Sequence, residues 1–241
     1  MENKKYMIGN MKMNLTFEEV ERYFNVLGTK ARSSQVIFCP TYLYVPYFIE
    51  QGFETAVQNT AQYDSGAYTG EVSPVQAASI GCSYTILGHS ERRMYFHETD
   101  DIVSEKVKRA LAAGLSVILC VGESDEEEKS GKTEEVLKRE LTAVFSKLTE
   151  EEVSRVIVAY EPIWAIGTGR VPTNDQIWKV ASDIQKILEQ MNILNVPILY
   201  GGSVNEGNIE TLNQIDNISG FLVGGACLKP EQFLHMIEVV L

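Results

Sequence analysis

One pattern constrains this chain more than any other. Short apolar runs recur along its whole length, separated by longer amphipathic stretches. The runs are Tyr6–Met11, Gln35–Cys39, Glu54–Val57, Tyr84–Leu87, Ser116–Val121, Arg155–Tyr160, Pro197–Tyr200 and Gly220–Val223. Their Val, Ile, Leu and Cys content fits strands buried on both faces, as in parallel sheets. Helix signals fall between them. Thr16 with Glu19, Ser124 with Glu127, and Thr173 with Gln176 read as capping boxes. Asn174–Gln190 sets Ile177, Ala181, Ile184 and Leu188 at helical spacing. The acidic run Asp125–Glu128 reads as a solvated first helical turn that complements the helix dipole.

Eight strand–helix units within 241 residues predict the α/β class and a closed (β/α)8 barrel, a single domain over 1–241. The rival is an open doubly wound sheet, which usually has Gly-x-Gly-x-x-Gly after its first strand. Here the first run ends Gly9-Asn10-Met11-Lys12, so that fingerprint is missing.

Bulk properties exclude several function classes. The net charge of −12 argues against nucleic acid as a partner, because its binders need a basic face. The same charge repels anionic substrates, so any phosphate pocket must rely on local cations and backbone amides. No run approaches the ~18 apolar residues of a membrane-spanning helix, and Met1–Lys5 does not open a secretory signal. Cys39, Cys82, Cys120 and Cys227 are far apart and form no Cys-x-x-Cys pair. Neither a disulfide frame nor a metal site is expected, and a reducing cytoplasm is the simpler location.

In such a barrel the active site lies at the C-terminal ends of the strands. The first run ends in Asn10 and Lys12, two residues apart and expected on one side of a strand. A lysine directed into an apolar mouth needs an anion, while one just past the strand would simply sit in water. The fourth run leads into Gly88-His89-Ser90-Glu91-Arg92-Arg93, where His89 is either a satisfied structural histidine or a catalyst. A helix N-terminus beside it would favour neutral imidazole. His97 and His235 lie in ordinary helical or connecting sequence. The sixth run enters Glu161-Pro162-Ile163-Trp164-Ala165-Ile166-Gly167-Thr168-Gly169. Pro162 stops the strand, and an apolar segment flanked by glycine follows. That is either an ordinary loop with a surface glutamate or a base beneath a hinged lid. The seventh and eighth runs end in Gly201-Gly202-Ser203 and Gly224-Gly225. Loops after strands seven and eight commonly hold phosphate in these barrels.

Together Gly9–Asn14, Gly88–Arg93, Ala159–Gly169, Tyr200–Asn205 and Phe221–Lys229 resemble the triosephosphate isomerase family, in order and spacing, over almost the whole chain. Met11 stands where that family usually has tryptophan, a packing change beside the site. The chain is slightly short for the family, which suggests trimmed loops. The resemblance implies a TIM barrel that interconverts dihydroxyacetone phosphate and D-glyceraldehyde 3-phosphate, in glycolysis and gluconeogenesis, without a metal or organic cofactor. It also implies the roles, and this family is a standard illustration of such pKa tuning. Glu161 is the base, and neutral His89 polarises the carbonyl. Lys12 and Asn10 bind substrate and its developing charge. Backbone amides at Gly167, Ser203, Gly224 and Gly225 hold the phosphate. Ile163–Gly169 close as a lid, and Cys120 supports the site without chemistry. Thr60–Ser73, alone a flexible loop, is implied to enter a partner subunit in a homodimer, with Thr69 near the partner's active site.

Two further readings remain. The glycine pairs alone permit a barrel acting on another phosphorylated metabolite. The same fold also permits a non-catalytic protein that binds a phosphate ligand or another surface.

Overall fold

The computed structural model describes residues 4–165 and 170–241. Gly167 and the Ile166–Gly169 part of the expected lid lie outside the described residues. Eight parallel strands close into a barrel in chain order. They are β1 (Tyr6–Asn10), β2 (Val36–Cys39), β3 (Glu54–Val57), β4 (Tyr84–Leu87), β5 (Ser116–Val121), β6 (Val156–Tyr160), β7 (Ile198–Tyr200) and β8 (Gly220–Val223). Every expected run is a strand, with one residue trimmed from an end of β1, β2, β6 and β7. Closure is the pairing of β1 with β8, Tyr6 opposite Gly220 through Gly9 opposite Val223.

The apolar runs bury both faces because a barrel has two interiors. Ile8, Ile37, Ile86, Ile118, Leu199 and Leu222 point inward and fill the barrel. Their neighbours Met7, Phe38, Leu87, Leu119, Val158 and Phe221 point outward into the layer beneath the helices. Fully burying each such side chain contributes about 1.5–3 kcal/mol. Two glycines permit close contacts. A Cβ on Gly9 would lie 3.1 Å from the Phe233 ring. Gly220 has φ +127, and a Cβ there would sit 2.0 Å from the Tyr6 carbonyl oxygen. A side chain at 220 therefore opposes the closing seam itself.

The capping boxes form as the sequence predicts. Glu19 accepts the Thr16 N–H at 2.7 Å, Glu127 accepts the Ser124 N–H at 2.9 Å, and Gln176 accepts the Thr173 N–H at 2.8 Å. Among the described residues, no helix is long and apolar enough to cross a membrane. Thr60–Ser73 is an ordered excursion with bonds of its own. The Ala61 N–H donates to the Val72 carbonyl at 2.8 Å, and the Tyr63 and Tyr68 rings stack 3.8 Å apart.

Candidate active site

Strand alternation delivers two candidates to the barrel mouth. On β1, Tyr6 and Ile8 face the interior, so Asn10 faces it too and is buried. On β6, Ile157 and Ala159 face the interior, and Glu161 follows in the same phase with only 3% of its surface exposed. His89 arrives differently. Ile86 faces inward and Leu87 outward. Gly88 then turns with φ +74, where a Cβ would meet the Cys120 carbonyl oxygen at 2.9 Å. That turn sends His89 toward β6 as the N-cap of the helix Ser90–Phe96.

The two side chains meet. His89 Nε2 lies 3.1 Å from Glu161 Oε1, and the Ser90 N–H donates to Glu161 Oε2 at 3.2 Å. His89 Nδ1 accepts the Glu91 N–H at 3.2 Å. A nitrogen that accepts carries no proton, so these contacts suit an imidazole with its proton at Nε2. Burial favours the neutral ring, and the Glu161 carboxylate opposes it. With the two in contact, His89 holds a proton more tightly than ordinary imidazole. Burial raises the Glu161 carboxyl, but His89, the Ser90 amide and Lys12 together outweigh it and keep the group ionised below the usual glutamate range. The Glu161 carboxylate is therefore charged and held against the residues beside it.

Lys12 corrects one expectation. β1 ends at Asn10, and Lys12 lies past it with φ +50, so strand alternation does not aim its side chain. A turn does so instead: Asn10 Oδ1 accepts the Lys12 N–H at 3.0 Å. The ammonium does not sit alone in water, because it pairs with Glu91 Oε1 at 2.6 Å. It also borders the eighth strand end. A Cβ on Gly224 would lie 3.5 Å from Lys12 Cε.

The glycine pairs follow their expected strands. Gly201 stands over Glu161, where a Cβ would come within 3.0 Å of its Cγ. A Cβ on Gly202 would meet the Tyr200 hydroxyl at 2.2 Å. Ser203 Oγ donates to the Ala165 carbonyl at 3.0 Å, which joins the seventh loop to the start of the sixth. Gly225 is exposed and opens a short 3-10 turn, Gly225–Leu228, at the mouth. Thus Asn10, Lys12, His89, Glu161, Ser203, Gly224 and Gly225 all lie at the C-terminal strand ends. Cys120 is fully buried, and burial with the Glu161 carboxylate beside it pushes its thiol well up, so it stays protonated.

A family model described as triosephosphate isomerase matches residues 5–240. The chain belongs to the triosephosphate isomerase family. Curated relatives agree. A triosephosphate isomerase of Chloroherpeton thalassium is 40% identical, covering 98% of this chain and 98% of its own. One from Coprinopsis cinerea is 42% identical over 95% of each chain. A glycosomal triosephosphate isomerase of Trypanosoma cruzi is 47% identical over 85% of this chain and 84% of its own.

For a triosephosphate isomerase family member, the sequence reading left several neighbours of the site without a role. Glu91, inside the quoted Gly88–Arg93 motif, pairs with Lys12. Glu123 is buried and accepts the Tyr160 hydroxyl at 3.0 Å and the Trp164 Nε1–H at 2.8 Å. It thereby holds the first turn of the expected lid. Its position just after β5 was the available signal, since strand ends are where such barrels place functional groups. The Ser90 amide has no side-chain signature and could not be read from residue types.

Proposed function

We propose that this barrel mouth isomerises triose phosphates, with Glu161 as base, His89 as electrophile, and Lys12 and Asn10 as substrate-binding groups. One observation carries this reading: a buried Glu161, held below the usual glutamate range, lies 3.1 Å from His89 Nε2. Two titratable groups pushed apart in this way suit abstraction of a proton alpha to a carbonyl. Glu161 moves off the Ser90 amide and takes the proton from one carbon. The C–H electron pair becomes the enediolate double bond, and the charge collects on the former carbonyl oxygen. The His89 Nε2–H donates to that oxygen as the charge develops, which typically contributes about 10² to 10³ in rate. His89 gives its Nε2 proton to that oxygen and takes the proton of the neighbouring hydroxyl in return. As the new carbonyl forms there, Glu161 returns its proton to the former carbonyl carbon. A positioned base of this kind contributes roughly 10² to 10⁴.

Lys12 supplies local positive charge that the net charge of −12 otherwise denies an anionic substrate. Backbone amides at Ser203, Gly224 and Gly225 suit the phosphate, joined by Gly167 and the lid through the family resemblance. A closed lid excludes water and strengthens each polar contact within. The reaction as written needs no metal or organic cofactor.

The assembly that fits is a homodimer through Thr60–Ser73. Large apolar side chains stand exposed in the segments that follow β1, β2 and β4, with Met13 at 92%, Leu43 at 82% and Tyr95 at 67% exposure. Burial against a partner subunit would remove such side chains from water. Sedimentation of the purified chain should give a dimer; a fully active monomer would end this part of the reading. Four buried cysteines, none in a disulfide, suit the reducing cytoplasm.

The test is turnover of D-glyceraldehyde 3-phosphate, with product dihydroxyacetone phosphate followed by its reduction, in buffer containing chelator. Fast isomerisation is expected. A folded dimer that binds a phosphate ligand without turning over substrate would establish the binding-protein reading instead.

A further inference from the structure

Glu140 stands out from the helix that carries it. Thr133–Phe145 has a charged face of Glu134, Glu135, Lys138 and Arg139, as a surface helix should. The Glu140 side chain is only 3% exposed. A carboxyl is retained in such a place when it meets specific partners. One oxygen, Oε2, accepts the Gly122 N–H at 3.0 Å. The other, Oε1, faces two guanidinium groups, Arg93 and Arg139, each at 3.6 Å. Asp100 closes the cluster, bonded to Arg93 at 2.6 Å and Arg139 at 2.9 Å. Glu127 lies 3.9 Å from Arg139 at its outer edge.

Both ends of this cluster lead to the reacting groups. Gly122 is pressed against the base: a Cβ there would lie 1.9 Å from the Glu161 carbonyl oxygen. On either side, the Val121 carbonyl accepts the Glu161 N–H at 2.8 Å, and the Glu123 carbonyl accepts the Ile163 N–H at 3.1 Å. The backbone from 121 to 123 is thus the template on which 161 to 163 lies. At the other end, Arg93 Nε donates to the Gly88 carbonyl at 3.0 Å, on the turn that aims His89.

We propose that Glu140 is a positioning residue: through Gly122 and Arg93 its carboxylate holds the backbone turns of Glu161 and His89 at a fixed spacing. It touches no substrate, and the inference rests on Glu161 and His89 being the reacting pair. The physical reason is that reaction demands near-attack placement, and a displacement of about 1 Å can cost ~10²-fold. The charged form makes the stronger bond to the Gly122 amide and draws Arg93 inward. Burial pushes its carboxyl up to about 7, against the pull of Arg93, the Gly122 amide and Arg139. Positioning by this group therefore changes with pH in the working range.

Two substitutions test this in the full-length protein. Glu140→Gln keeps an oxygen for the Gly122 N–H and removes the ionisation. Glu140→Leu removes the acceptor. For Glu140→Leu, kcat should fall about tenfold or more while KM changes less than about twofold, since no phosphate contact is touched. Glu140→Gln, which keeps the acceptor but not the charge, should recover only part of kcat at pH 8, and its kcat-against-pH profile should lack one ionisation near 7 that the unsubstituted protein displays. If Glu140→Leu does not fold, the profile of Glu140→Gln decides alone. Unchanged kcat in Glu140→Leu, or identical profiles for Glu140→Gln and the unsubstituted protein, overturns the proposal. Turnover that persists unaltered in both variants sinks only this inference. Absence of turnover in the unsubstituted protein sinks the isomerase reading and this inference together.

Discussion

Glu161 Oε1 rests 3.1 Å from His89 Nε2, so the proposed base and electrophile are in contact before substrate arrives. Neither group reaches its working position by folding alone. A carbonyl oxygen must take the place of the carboxylate at Nε2, and the carboxylate must leave the Ser90 amide at the same time. On the proposed mechanism, substrate binding and release of Glu161 are therefore one event.

Shortening the base by one methylene is the first consequence. Glu161→Asp should fold normally, because the partners that bury this residue remain. Its kcat should drop about 10²-fold or more, since the carboxylate is drawn back by about 1 Å. Steady-state kinetics beside a melting curve checks both halves, and a near-normal rate removes Glu161 from the base role.

Gly201→Ala probes the ceiling above the base. The new methyl would sit about 3.0 Å from Glu161 Cγ, within the contact limit. The carboxylate must shift, so kcat should fall about tenfold or more with KM nearly constant. An unchanged kcat would mean that Glu161 has more room than its surroundings suggest.

Lys12→Met leaves the turn at Asn10 but removes the local cation, and Glu91 is left without its partner. With a net charge of −12 behind it, the mouth should then repel triose phosphate. We expect kcat/KM to fall by about 10²-fold or more, and the remaining rate to be less inhibited by added salt. A purely structural Lys12 would lose stability in melting scans and keep its salt response.

Two buried carboxyls should drive stability in opposite directions with pH. The Glu161 carboxyl is lowered from 4.5, so its stabilisation is present above 4.5 and is lost as pH falls through its folded value. The Glu140 carboxyl is raised from 4.5 to about 7, so its stabilisation is present below 4.5 and is lost as pH rises through about 7. That second shift corresponds to about 3 kcal/mol. Glu140→Gln should therefore gain Tm on the unsubstituted protein as pH increases from about 5 to 8. A Tm difference that stays constant over that range contradicts the shift.

The strands were legible because burial on both faces leaves little room for polar residues. Asn10 and Glu161 followed, since alternation carries the phase of Ile8 and Ile157 to the strand ends. His89 was legible only as a motif, because its aim depends on the left-handed turn at Gly88, and composition does not set an angle. Lys12 was placed at the right end of the barrel by reasoning that does not hold past Asn10. Glu140 was invisible. In sequence it closes a run of charges on a helix, and nothing local separates a solvated glutamate from one folded under its neighbours. The amide of Ser90 was hidden for a deeper reason, since every residue except proline has one.

The β1–β8 seam has a consequence for biogenesis. Tyr6–Gly9 must wait for Gly220–Val223, more than two hundred residues later in synthesis. Until then the nascent sheet has two raw margins, each a template for pairing with a neighbouring chain. The last strand works as a zip, and a ribosome that stalls before Gly220 releases a product prone to clump rather than a smaller barrel.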